Sequence, residues 1–208
     1  MLKEISVDSL ITSQYTRVRS VAFSHDGNNI VIGTRGHLLT HSLTYSLTHS
    51  LTQGAEIIEV GVKSGTMLGK PLLQGHGMRE LWGLATHPTK DEFITSGDDA
   101  TIRVWDSKTF HLIKTVRMDT ASRAIAYSPN GKYVAVGFGF GKRSKGRAAA
   151  KEGSFAVLTA SDMKIAHEGK DSLEPIRVVK FRSFPYSLTH SLTHSPTHSL
   201  TVPTTTSL

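Results

Sequence analysis

The feature that most constrains this chain is a recurrence. Residues 18–24, 81–86, 122–128 and 176–181 each alternate small or apolar side chains in the period of a half-buried strand. The first three run into turn chemistry: His25-Asp26-Gly27, His87-Pro88-Thr89-Lys90 and Pro129-Asn130-Gly131. Asp-Gly and Asn-Gly favour tight turns because both residues tolerate positive φ. A β-rich run follows each turn, at 30–33, 92–95 and 133–136. Phe23, Thr86, Tyr127 and Phe181 stand 63, 41 and 54 residues apart. Setting aside 37–54 from the first interval and 142–152 from the third leaves 45, 41 and 43. That is the length of one four-stranded propeller blade.

The segment set aside first has its own period, of four. Residues 39–52 repeat Ser-Leu-Thr-His with Tyr45 for one His, and the unit returns over 187–201 with Pro196 for one Leu. The bases TCAC read in triplets give TCA-CTC-ACT-CAC, which encodes Ser-Leu-Thr-His. The tracts therefore read as translated tetranucleotide repeats: a retained intron, a misjoined gene, or a real expansion. His190, His194 and His198 would align on a helix as metal ligands. Ser and Thr make half the tract and Pro196 would break such a helix, so a structureless tract without metal is the expectation. The first tract falls between residues 30–36 and 55–60, splitting a strand–turn–strand hairpin, and the basic stretch takes the equivalent place in a later blade.

One repeat carries a specific signature. Gly75-His76 precedes Leu81-Trp82-Gly83-Leu84-Ala85-Thr86, and Thr95-Ser96-Gly97-Asp98-Asp99 leads to Trp105-Asp106. This resembles the Gly-His to Trp-Asp pattern of a WD repeat. The resemblance implies a buried hydrogen-bond network of His76, Thr95, Asp99 and Trp105, with Ser96 competing for the hydroxyl role. Buried polar groups need partners, and a closed network fixes strand register. The wording of residues 54–60, 69–76, 80–88 and 124–131 resembles the echinoderm microtubule-associated protein-like family more closely than a generic WD repeat. That resemblance implies a non-catalytic propeller with tubulin or microtubules as partner and a cytoplasmic, cytoskeletal location. The family's hydrophobic motif before its propellers and its coiled-coil segment are not among these residues.

Composition narrows the alternatives. The absence of cysteine excludes disulfides, thiolate metal sites and cysteine nucleophiles. No apolar run is long enough to span a bilayer, and the first residues lack a signal-peptide core, so neither membrane insertion nor secretion is expected. Residues 137–142 look like a phosphate loop, but Val136 and Arg143 hold the places of its first Gly and its Ser/Thr. No nucleophile elbow or converging carboxylate pair stands out, so no enzyme, cofactor, metal site or small-molecule substrate is expected. The net charge of +7 is largely local, with Lys142, Arg143, Lys145, Arg147 and Lys151 in one stretch free of acids. Such a stretch suits an acidic partner, or is a solvated loop without one. It lacks aromatic residues for stacking bases, which argues against nucleic acid.

The expected fold is all-β: a partial WD40-type propeller of about three blades and the start of a fourth, with a disordered low-complexity insert and tail. Residues 1–36 give an outer strand and the first half of a blade, 37–54 the insert, and 55–74 the rest of that blade. The signature blade is 75–117, the blade with the basic insertion 118–170, the start of a further blade 171–185, and the tail 186–208. General adaptor proteins of this fold without microtubule contact, and a fragment with no function of its own, are the competing functional readings.

Overall fold

The computed structural model describes residues 17–35, 56–69, 75–76, 81–139, 151–170, 172–182 and 199–203. They form antiparallel meanders placed side by side. The first sheet holds β1 (Arg17–Phe23), β2 (Asn29–Arg35) and β3 (Ile57–Gly61). The second holds β4 (Leu81–Thr86), β5 (Glu92–Gly97), β6 (Thr101–Asp106) and β7 (Leu112–Arg117). The third holds β8 (Ser122–Tyr127), β9 (Tyr133–Phe138), β10 (Ser154–Thr159) and β11 (Ile165–Lys170). A last pair, β12 (Val178–Arg182) and β13 (Ser199–Pro203), begins a further sheet. This is the expected open, partial propeller, with β1, β4, β8 and β12 adjacent as its inner strands.

The turns between first and second strands form as their sequences dictate. Ser24 Oγ donates to Asp26 Oδ1 (2.5 Å) while Asp26 accepts from the Asn28 amide, and Gly27 takes φ +70°. The same turn recurs one blade on: Ser128 Oγ donates to Asn130 Oδ1 (2.7 Å), Asn130 accepts from the Lys132 amide, and Gly131 takes φ +68°.

Three of the inner strands, β1, β4 and β8, open with a bulge. The register slips between Val18 and Ser20, between Leu81 and Gly83, and between Ser122 and Ala124, leaving Arg19, Trp82 and Arg123 as the extra residues. Small residues lie opposite, and neighbouring blades need them. A Cβ on Gly137 would sit 2.5 Å from Ile176 Cγ2 of the next blade. One on Gly33 would run into Leu81.

The core lies between the sheets. Val31 and Ile57 of the first sheet pack with Leu81, Leu84, Phe93 and Trp105 of the second. Ile94, Ile102 and Val104 meet Ile125, Val134, Val136 and Leu158 of the third. Ala124 and Ala135 meet Ile176 and Val179. Outer strands contribute little: β11 is exposed along most of its length.

Two findings modify the sequence reading. The first tract and most of the tail lie outside the described residues, as do His37, His41, His49, His190, His194 and His198. Ser199–Pro203 of the tail nevertheless pairs with β12, and it does so parallel, whereas every blade pairing is antiparallel. Those five residues thus have strand structure where none was expected, because a β-branched Thr-Val pair can add backbone bonds to an available edge. The second finding concerns the open end. An open propeller ends in unpaired strand edges, and here a sheet face is exposed as well. Val21 is 55% exposed, whereas Leu84, Ile125 and Val179 at the equivalent places are 8%, 7% and 4%. Phe23 beside it is 59% exposed.

An apolar face left uncovered drives association. The 208-residue chain should therefore self-associate as concentration rises in light scattering, and Val21→Glu with Phe23→Gln should reduce that association. A monomer that melts cooperatively at all concentrations would contradict this.

Candidate functional site: a buried hydrogen-bond network and a basic insertion

The four signature residues come together inside the second sheet. Thr95 lies on β5 and Trp105 on β6, the turn between those strands carries Asp99, and His76 reaches in from the connection before β4. Trp105 Nε1 donates to Thr95 Oγ1 (2.9 Å), and Thr95 Oγ1 lies 2.8 Å from His76 Nε2. His76 Nδ1 lies 2.9 Å from Asp99 Oδ1. The indole can only donate and the carboxylate can only accept. A neutral His76 therefore carries its proton on Nδ1 toward Asp99, and Nε2 accepts from the Thr95 hydroxyl. Donors and acceptors match from one end of the chain to the other.

The Asp99 end is reinforced. Thr101 donates to Oδ1 from both its amide (3.0 Å) and its hydroxyl (2.8 Å), and the Arg103 guanidinium reaches Oδ2 at 3.2 Å. Burial works against the Asp99 charge, but the bonds from His76 and Thr101 outweigh it and hold the carboxyl down at about 2. Burial dominates at His76 and pushes its imidazole below the ordinary value, overriding the pull of Asp99. The pair is thus a neutral imidazole beside a carboxylate. His76 and Thr95 are both fully buried, so no substrate reaches the ring. Ser96, the competing hydroxyl, is also buried, and its oxygen has no hydrogen-bond partner among the described residues.

Of the basic candidates, Lys142, Arg143, Lys145 and Arg147 lie outside the described residues. Lys151 is described, and its ammonium pairs with Glu168 at 3.0 Å. The ends of the basic insertion are placed by register: Ser122 faces Phe138 and Gly137 faces Phe155, so the chain leaves and re-enters where β8 begins. The first tract does the same between β2 and β3. Among the described residues no group of three or more His, Asp or Glu side chains is arranged to hold a metal.

A feature that the sequence reading passed over sits at this same end. The guanidinium of Arg19 lies 4.4 Å from the Trp82 ring centre, and that of Arg123 lies 4.2 Å from it. Its signal was present in the aligned repeats, where Arg19, Trp82, Arg123 and Arg177 hold one shared position.

Comparison with known proteins fits this architecture. The WD domain, G-beta repeat family matches residues 68–106, which contain the whole network. A chain in the crystal structure of the mitotic checkpoint complex superposes with a TM-score of 0.57 at 17% identity, over 80% of this chain and 41% of the other. The chain accordingly contains a WD repeat at residues 68–106, set in an open, partial propeller fold. Its sequence relatives include echinoderm microtubule-associated protein-like proteins. Mouse protein-like 2 is 39% identical over 66 residues, which is 32% of this chain and 10% of the relative. Human protein-like 2 is 30% identical over 127 residues, 61% and 16% respectively. The 77 kDa echinoderm microtubule-associated protein of Strongylocentrotus purpuratus is 35% identical over 83 residues, 39% and 12%. The chain thus spans only about a tenth to a sixth of these relatives' length.

The network predicts its own pH dependence. His76 in the unfolded chain takes up a proton near its ordinary 6.5 that the folded blade resists, so its contribution is whole above that pH and declines below it. Asp99, held at about 2 against an ordinary 3.8, adds a second loss as pH falls from about 4 toward 2. Urea denaturation across pH 8 to 3 should show stability falling from pH 6.5 downward. Thr95→Val orphans His76 Nε2 and the Trp105 indole and should cost about 2–4 kcal/mol at pH 7.5. Equal midpoints for wild type and variant would refute the network's role.

Proposed function

We propose that this chain is part of a WD-repeat scaffold that binds tubulin or microtubules in its intact parent protein, at a cytoplasmic, cytoskeletal location. The observation that carries the reading is the likeness of its blades to several microtubule-associated proteins, at 30–39% identity. The buried network acts in this reading as a tie between strands, because neither His76 nor Thr95 meets solvent. The basic insertion supplies the contact to an acidic surface through Lys142, Arg143, Lys145 and Arg147. Lys151 contributes less, since Glu168 already takes its charge.

A general adaptor without microtubule contact is the second reading. It is favoured by how little of the relatives' length is represented here. Co-sedimentation of the complete parent with microtubules separates the two. Pelleting at low salt that weakens about tenfold at physiological salt, and again on reversal of the four insertion charges to Glu, supports the first. No pelleting at low salt, with an affinity capture rich in other assembly proteins and free of tubulin, supports the second.

A further inference from the structure

The fourth sheet is built unlike the other three. In those, the inner strand runs into a turn at His25-Asp26-Gly27, His87-Pro88-Thr89-Lys90 or Pro129-Asn130-Gly131 and meets the next strand antiparallel. No such turn sequence follows β12. Ser183-Phe184-Pro185 comes next, and β12 pairs instead with Ser199–Pro203, in parallel. The register runs unbroken from Val178 opposite Ser199 to Arg182 opposite Pro203. A parallel return needs a connection of a dozen or more residues. The sixteen residues 183–198 meet that length. In this copy of the repeated unit Val202 stands where His190, His194 and His198 stand in the copies before it, and a β-branched residue suits extended backbone. Pro203, which has no amide to give, closes the last pair. β12 has an anchor of its own. Ile176 and Val179 are buried against Ala124 and Ala135 of the third sheet, and the Ile176 amide donates to the Phe138 carbonyl at 3.2 Å.

We propose that the edge of β12 is a strand-docking surface and that Ser199–Pro203 is a tethered strap across it, so that the chain's own tail holds the edge against an extended segment of another molecule. Backbone amides and carbonyls along a strand edge recruit extended chain whatever its source. The strap's advantage is its tether. A covalently linked strand acts at an effective concentration of about a millimolar, and a free segment at micromolar concentration loses to it. The strap also blunts the new edge that it creates, because a strand of five residues ending in proline offers a newcomer few donors. The surface takes an extended segment running parallel to β12, and takes a foreign one only when the tail is off. This strap goes beyond the tubulin contact and is independent of it: neither the basic insertion nor any charged side chain takes part.

Amide hydrogen exchange of the 208-residue chain, read over Val178–Arg182, tests the strap. Leu200→Pro and Thr201→Pro are introduced together in the full chain. Adjacent residues of a strand direct their amides to opposite sides, so one of the two prolines removes a donor aimed at β12 whichever way the strand is turned. The variant should exchange at least about tenfold faster at alternate amides of β12. β9 should keep its wild-type rate, which separates loss of the strap from loss of the fold. A labelled peptide of residues 197–205, followed by anisotropy, should bind the variant at least about tenfold more tightly than the wild type and should restore slow exchange to the variant's β12. The same peptide carrying the two prolines should do neither. Equal β12 exchange in wild type and variant overturns the strap. Failure of the peptide to bind the variant overturns the docking surface, and equal binding to both chains overturns the tail's exclusion of foreign strands.

Discussion

A blade of this kind cannot stand alone, and the rest of the structure follows from that constraint. Its strands are about six residues long, and both faces of the sheet carry apolar side chains. Phe93 and Trp105 look toward the first sheet while Ile94, Ile102 and Val104 look toward the third. Neither set can be covered within the blade, so each sheet serves as its neighbour's interior. Close approach of successive inner strands then forces small residues such as Gly33 and Gly137 at the crossing points.

The hydrogen-bond network solves a problem that stacking alone leaves open. Apolar burial is non-directional and tolerates sliding, whereas a strand that slips by one residue turns its side chains to the wrong face. His76, Thr95, Asp99 and Trp105 come from four separate places in the second blade, and their donors and acceptors match in one register. In the third blade Val136 of β9 faces Ile125 as Thr95 of β5 faces Leu84, so the place of the network hydroxyl is held by an apolar side chain. That blade depends more heavily on packing, through Val134, Val136, Ala156 and Leu158.

Much of this was readable from the sequence where burial and turn chemistry coincide. Inner and second strands announce themselves by alternation and by Asp-Gly or Asn-Gly, and the WD signature picked out the network's four members. Outer strands were less legible. Leu112 and Ile113 of β7 are about half exposed, and β11 carries His167, Glu168 and Lys170, so neither has the contrast that alternation requires. The Ser199–Pro203 strand had no local signal, because a period-four tract encodes no partner. The stack around Trp82 was missed for another reason. A bulge is a property of pairing, so Arg19, Trp82 and Arg123 read individually as ordinary surface residues until their register is known.

The hairpin of β2 and β3 holds its register across a long interruption. Thr34 and Glu56 close its mouth with three bonds: the Thr34 amide and hydroxyl both donate to the Glu56 carbonyl, and the Glu56 amide donates to the Thr34 hydroxyl. The register of the two strands is thereby fixed at Thr34 and Glu56, whatever the length of the segment that joins them. Lengthening such a segment raises only a closure entropy that grows with the logarithm of its length, about 0.6 kcal/mol per doubling. The second-to-third-strand mouth is consequently a natural graft point, where foreign sequence of almost any composition enters without competing for the blade's interior.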